Sequence, residues 1–364
     1  MVAVSLWLAH VAGAHAQDGV TKTSIAIGQS AALTGPAAPL ALAFTGGAKL
    51  YLDRVNATGG VGGRKLELVS LDDAGNPANT AANTKKLLDQ GVLLLFGFYG
   101  SPQVTAAYPS IKDSDVVMFA PMAAADEFRG TLYPNMYHLR PGYSEEAAAI
   151  TRHAETLGAR KLAILHAKDS ESLAALESAE RTMTSLGANL LIKVAIESVD
   201  KAVAVKPESV LLIGDTKAAA TATRELRKQG FRGPIYGFSN TGESLLAEQL
   251  GPAGAGVVVA RIVPKSDNAK LPVVRELQAD ATAANAGKPN VYMLEGYLAA
   301  RVLVEALRRI PGKDATPNRA RLRKALDGMD DLNLGGFRIH FAEDRVGSRL
   351  VELGLIDSQG RVRE

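Results

Sequence analysis

The chain has 364 residues, 47% hydrophobic and 22% charged, values that exclude a disordered chain and favour two domains at about 150 residues each. Its net charge of +3 is spread without a basic run longer than a pair such as Arg308-Arg309, which argues against a nucleic-acid partner. The absence of cysteine excludes thiol catalysis and cysteine-bound metal, and with aromatics at only 5% each tyrosine near a predicted cleft counts.

Residues 1–16 read as an export signal, with an apolar core over 2–11 and Ala14-His15-Ala16 as a small-x-small cleavage site before Gln17. The core is too short to span a bilayer, and the usual basic start is missing, since Lys22 is the first basic residue. The alternative is a short buried helix. No later apolar run reaches the ~18 residues of a membrane span, so the mature chain is expected to be soluble.

A strand is predicted over 24–28, then the small-residue turn Leu33-Thr34-Gly35-Pro36 and a helix over 41–55. A glycine hinge over 59–64 leads to a strand over 65–71 with an acidic stop, Asp72-Asp73. A helix over 77–90, a strand over 92–96 and the loop 97–102 follow. Further strands are predicted over 116–120, 136–140, 161–166, 190–196, 209–213, 235–237 and 257–263. Helices are predicted over 102–113, 144–157, 172–186, 216–229, 243–250, 272–286, 292–309 and 317–326. Alternating strands and helices imply parallel sheets flanked by helices, whose ligands bind at the strands' carboxyl ends.

Pro141-Gly142 breaks the rhythm between two such series. After 263, three helices in near succession and two β segments, 336–341 and 349–356, suggest a return to the first lobe and a final crossing to the second. The expected architecture is α/β: two Rossmann-like lobes with parallel central sheets joined by a three-segment hinge. Lobe 1 takes 17–142 and 263–348, and lobe 2 takes 143–262 and 349–364.

In order and spacing, Leu33-Thr34-Gly35-Pro36, the run Gly59 to Leu66, Asp72-Asp73, Asn83-Thr84-Lys85-Lys86-Leu87 and Phe96-Gly97 resemble the type I periplasmic binding proteins of the leucine/isoleucine/valine-binding group. The match resumes at Leu139-Arg140, Leu162-Ala163-Ile164-Leu165 and Glu295-Gly296-Tyr297. The resemblance implies a non-enzymatic, periplasmic receptor that closes two lobes over an amino acid or related small carboxylate and delivers it to the membrane subunits of an ABC permease. It implies no cofactor, and a monomer is expected. The alternative is a sensory module that passes lobe closure to a signalling partner.

From the residues alone, Ser101 either holds a carboxylate with its hydroxyl and backbone N–H or caps its helix ahead of Pro102. The resemblance assigns it the solute carboxylate. It also matches Ala123 and Ala124 to a second carboxylate-binding loop, where a threonine is usual and here only backbone groups remain. In the second lobe Glu171 stands where the family has an aromatic lid, Asp215 at a tyrosine position, and Ser239 where an acid receives the solute's ammonium. Glu171 and Asp215 either attract a cationic group or are solvated loop residues. Tyr143, directly after the first crossing, is placed to cover an apolar or planar solute. Tyr99 and Phe98 either line the first lobe or pack in its core, and the same choice applies to Tyr292, Glu295 and Tyr297. Some relatives join positions matching Gly75 and Gly100 by a disulfide, and both partners are missing here.

Enzymatic readings fail on arrangement. His138, His153, His166 and His340 are not spaced as metal ligands or paired with a nucleophile. The glycine cluster precedes a strand, the reverse of the order that cradles a dinucleotide.

Overall fold

The computed structural model describes residues 18–312 and 316–363, so the predicted export signal lies outside the described residues. The first series forms β1 (Ser24–Ala31), α1 (Ala38–Ala57), β2 (Lys65–Asp72), α2 (Pro77–Asp89), β3 (Leu94–Phe96), α3 (Ser101–Ala107), β4 (Met118–Phe119) and β5 (Met136–Tyr137). Its strands make a parallel sheet in the order β2-β1-β3-β4-β5. Because helices cover both faces, β3 is apolar and buried throughout.

The second series forms α4 (Tyr143–Thr156), β6 (Lys161–His166), α5 (Ser170–Ser185), β7 (Asn189–Ala195), α6 (Val199–Ala204), β8 (Ser209–Ile213), α7 (Thr216–Lys228), β9 (Ile235–Gly237), α8 (Glu243–Leu250) and β10 (Val257–Arg261). The chain then runs through α9 (Pro272–Ala283), α10 (Val291–Arg308), α11 (Arg319–Asp327) and a small hairpin, β11 (Leu332–Asn333) with β12 (Arg338–Ile339). It ends in β13 (Glu352–Ile356) and β14 (Val362–Arg363), which join the second sheet antiparallel at β10. That sheet runs β14-β13-β10-β9-β8-β6-β7.

Helices α9 and α10 pack on α1, so the largest apolar cluster unites Phe44, Leu52 and Tyr51 with Leu277, Leu298 and Val302. The crossing of α1 and α10 is backbone against backbone. A Cβ at Gly47 would stand 1.9 Å from the Met293 carbonyl oxygen, and one at Gly296 would stand 1.9 Å from that of Phe44.

Three crossings join the sheets, and two of them are bonded to each other. The His138 N–H donates to Arg345 O at 2.9 Å, and the Gly347 N–H donates to His138 O at 2.7 Å. Arg129 braces the first crossing, donating to Pro141 O at 2.8 Å and Ala125 O at 2.6 Å. Burial pushes its guanidinium down to about 10.

Several predicted elements are shorter. The helix expected over 102–113 stops at Ala107 and tightens into a 3₁₀ turn, because Pro109 has no N–H to continue the ladder. The strands expected over 116–120 and 136–140 keep only two residues each in the sheet. The segment 336–341 contributes only the hairpin strand β12, and α6 was not predicted.

The return strand is fastened by Arg261, whose Nη1 lies 3.3 Å from Glu243 Oε1 and whose Nη2 lies 2.8 Å from Glu352 Oε2. Arg261 is buried and Glu352 partly exposed, so Glu352→Ala removes one charge-assisted partner while Glu243 remains. A loss of about 1–2 kcal/mol is expected in urea unfolding. A loss below ~0.3 kcal/mol would show that β13 is held by its backbone ladder alone.

Candidate functional site

In both sheets strand order reverses next to the earliest strand, at β1/β3 and at β6/β8. The loops leaving these strands at their carboxyl ends face one cavity of about 530 Å³. The first sheet contributes Pro36 and Ala37 after β1, Gly75 after β2, and Tyr99 and Gly100 after β3. Asp169, Ser170 and Glu171 after β6, Gly214 and Asp215 after β8, and Asn240 after β9 form the opposite wall. Arg140, Tyr143 and Tyr292 stand between them. A flatter groove of about 600 Å³ near Lys206, Gln229 and Pro234 lies where β6 and β8 begin rather than where they end. The interlobe cavity is therefore the candidate site.

Local hydrogen bonds fix the first wall. Asp72 accepts from the Leu33 and Thr34 N–H groups at 2.9 and 3.2 Å and from the Thr34 hydroxyl at 2.7 Å, holding the β1 loop against the end of β2. The Thr34 hydroxyl and neighbouring N–H groups pull its carboxyl below the usual range. Asp73 is buried, with the Ser30 and Thr80 hydroxyls donating to it at 2.8 and 3.0 Å. Gln103 donates to Gly75 O at 2.8 Å, so a side-chain hydrogen bond ties the loop after β2 to the first turn of α3. A Cβ on Gly100, whose φ is +100°, would collide with that Gln103 side chain.

Two carboxylate clusters cross the cleft. In one, Glu171 Oε2 accepts from the Ser101 N–H at 2.5 Å, while its Oε1 accepts from the Ser101 hydroxyl at 3.0 Å and the Tyr143 phenol at 2.5 Å. Desolvation raises the Glu171 carboxyl despite these donors, and it raises the Tyr143 and Tyr99 phenols, with the Glu171 charge adding to both.

The second cluster is buried beside the hinge. Glu146 accepts from the Ser239 N–H at 2.7 Å and from its hydroxyl at 2.8 Å, and Arg140 donates to the same Ser239 oxygen at 2.6 Å. Arg140 Nη1 lies 3.9 Å from Glu295 Oε1, and the Tyr292 phenol donates to Ser239 O at 2.8 Å. Burial opposes the Arg140 charge, but Glu295 and Glu146 outweigh it and raise its pKa. Desolvation raises both carboxyls.

The arrangement can hold a small polar solute between the residues of the two walls, Arg140 supplying a cation and Glu171 an anion. A family model described as periplasmic binding protein matches residues 24–361. The chain belongs to this family. The leucine-specific-binding protein of Salmonella typhimurium is 23% identical over 275 residues, covering 72% of this chain and 74% of the relative. A leucine-, isoleucine-, valine-, threonine- and alanine-binding protein of Pseudomonas aeruginosa is 22% identical over 319 residues, 84% of this chain and 83% of its own. The crystal structure of an extracellular ligand-binding receptor from Verminephrobacter eiseniae superposes with a TM-score of 0.86 at 27% identity, over 94% of this chain and all of the receptor. Periplasmic binding proteins bind solutes and do not transform them.

In this binding protein Tyr99, Tyr143, Glu171 and Asp215 line the cavity, and Ser101 reaches it through Glu171. Asp215 is exposed and caps α7 by accepting from the Ala218 N–H at 2.7 Å. Ala123 and Ala124 are not at the wall: their side chains are in the core and their carbonyls accept from Arg129 at 3.3 Å and from the Tyr143 N–H at 2.9 Å. The Ser239 side chain is occupied by Glu146 and Arg140. Phe98 and Tyr297 are core residues, the latter donating to Asp280 at 2.7 Å, whereas Tyr292 lines the cavity. Sequence reasoning missed Arg140 and Glu146 as site residues, although both flank the Pro141-Gly142 break that marks the first crossing.

Proposed function

We propose that the protein is the exported, periplasmic receptor of an ABC importer, carrying an amino acid or related small carboxylate-bearing solute between lobes composed of 17–142 with 263–348 and 143–262 with 349–364. The observation that carries this reading is the cavity itself, of about 530 Å³, bounded by loops of both sheets and offering Arg140 as a cation and Glu171 as an anion. A zwitterion matches both signs at once. Closure on it shifts the open and closed populations, and the closed form is what the permease's membrane subunits recognise. The receptor acts as a monomer, since each chain supplies both walls. Amino-terminal sequencing of the exported protein is expected to begin at Gln17.

A thermal-shift screen over amino acids, amides, aromatic acids and dicarboxylates tests the solute class. A ligand present at 100 times its dissociation constant stabilises by ~2.7 kcal/mol. Tyr99→Ala, which removes part of the cavity wall, is expected to weaken the best ligand by about tenfold or more in calorimetric titration, near 1.4 kcal/mol. An amino-acid panel without any shift, together with purified protein free of co-purified solute in native mass spectrometry, overturns the assignment.

A further inference from the structure

The best-formed anion seat in the cleft is filled by the protein itself. Ser101 lies after β3 in the first lobe, Tyr143 follows the first crossing, and Glu171 stands in the first turn of α5 in the second lobe, yet three hydrogen bonds of 2.5, 2.5 and 3.0 Å converge on the one carboxylate. Such charge-assisted bonds are about twice as strong as neutral ones. Counting protons decides what the seat can still do. The Ser101 N–H, the Ser101 hydroxyl and the Tyr143 phenol each have one hydrogen, and all three go to Glu171. Ser101 Oγ in turn accepts from the Ala125 N–H at 3.2 Å, which fixes the direction in which it donates.

We propose that Glu171 is a built-in tenant of this seat, so that the solute meets the wall with an ammonium or other N–H donor and directs its own carboxylate toward Arg140. This rests on the reading that the interlobe cavity is the solute site. A second carboxylate at Ser101 would find no donor left and a like charge beside it. Glu171 Oε2 accepts a single bond, so it has capacity for a donor from the solute. On the cationic side, Arg140 is among the residues that line the cavity, and its buried Nε has no partner among the described residues. Glu171 thereby sets specificity: it reverses the end of the cleft at which an acid is received.

Sodium acetate and methylammonium chloride, each compared with sodium chloride at equal ionic strength, test the two halves by thermal unfolding. Glu171→Ala vacates the seat, and about 0.1 M acetate is expected to raise its melting temperature by at least ~2 °C while leaving the wild type unmoved. Adding Ser101→Ala to the same variant is expected to abolish the gain. Glu171→Ser suits the first turn of a helix and carries the same expectation should the alanine variant not fold. Equal acetate responses in wild type and variant, or a folded variant without any response, overturn the filled seat. Methylammonium is expected to stabilise the wild type more than Glu171→Gln, and equal responses overturn the donor-facing role. Should acetate rescue Glu171→Ala while the amino-acid panel finds no ligand, the importer reading falls and the filled seat stands. Should the panel yield a ligand while acetate rescues nothing, the filled seat falls and the importer reading stands.

Discussion

Gly296→Val is expected to cost about 3 kcal/mol or more of folding stability, with Gly47→Val close behind. Glycine within a helix is ordinarily a liability of about 1 kcal/mol relative to alanine. Here its absence of a side chain is what lets α1 and α10 touch. The added Cβ at Gly296 meets the Phe44 carbonyl oxygen at 1.9 Å and the Ala48 nitrogen at 3.1 Å, both of them backbone atoms within α1. No rotamer change relieves such a contact, so the helices must separate and the cluster of Phe44, Leu52, Leu298 and Val302 loosens. Gly46 supplies the internal control. It sits in the same helix as Gly47, and a Cβ there meets nothing within 4 Å, so Gly46→Ala is expected to be neutral or to stabilise by up to about 1 kcal/mol. Urea unfolding of the three variants reads the contrast. Similar stabilities for Gly46→Ala and Gly296→Val would remove the close crossing as the reason for glycine.

Arg140→Met is expected to destabilise the protein by about 3–5 kcal/mol at neutral pH, because it leaves Glu146 and Glu295 buried without their shared cation. The pH dependence separates this from a loss of packing. Desolvation already holds both carboxyls above their ordinary value of 4.5. A raised acid contributes stability that is fully present below its unfolded pKa and is lost as pH rises through the folded one. Removing Arg140 lifts the folded values further and enlarges that loss. The deficit relative to wild type is therefore greatest between about pH 7 and 8 and shrinks on acidification toward pH 5. Urea midpoints measured across that range decide the matter, and a deficit that stays constant or grows in acid would sink the electrostatic account.

Much of the fold was legible because its signals are local. The apolar run of β3, Pro77 opening α2, and the glycines between α1 and β2 each announce an element from a few neighbouring residues. Strands β4 and β5 were legible as elements but not in their length, since beyond β5 the His138 backbone bonds to Arg345 and Gly347 of another crossing instead of extending the sheet. The site divides in the same way. Tyr99, Tyr143, Glu171 and Asp215 could be placed near a cleft because strand ends can be read from sequence. That Glu171 would meet Ser101, seventy positions away, depends on how two sheets face each other. The union of Arg140, Glu146, Ser239 and Glu295 draws on three separate stretches of chain and left no spacing pattern to detect.

The paired glycines of α1 and α10 also set an order of events. Phe44 and Leu52 emerge early from the ribosome, but the helix that covers them begins only at Val291, after the strands β6 to β10 of the second sheet have been made. The first lobe therefore cannot complete its core while the chain is short, and its closure is a late, long-range step. A polypeptide threaded this way stays open through most of its synthesis. The cavity, which needs loops of both sheets, is accordingly among the last features to form.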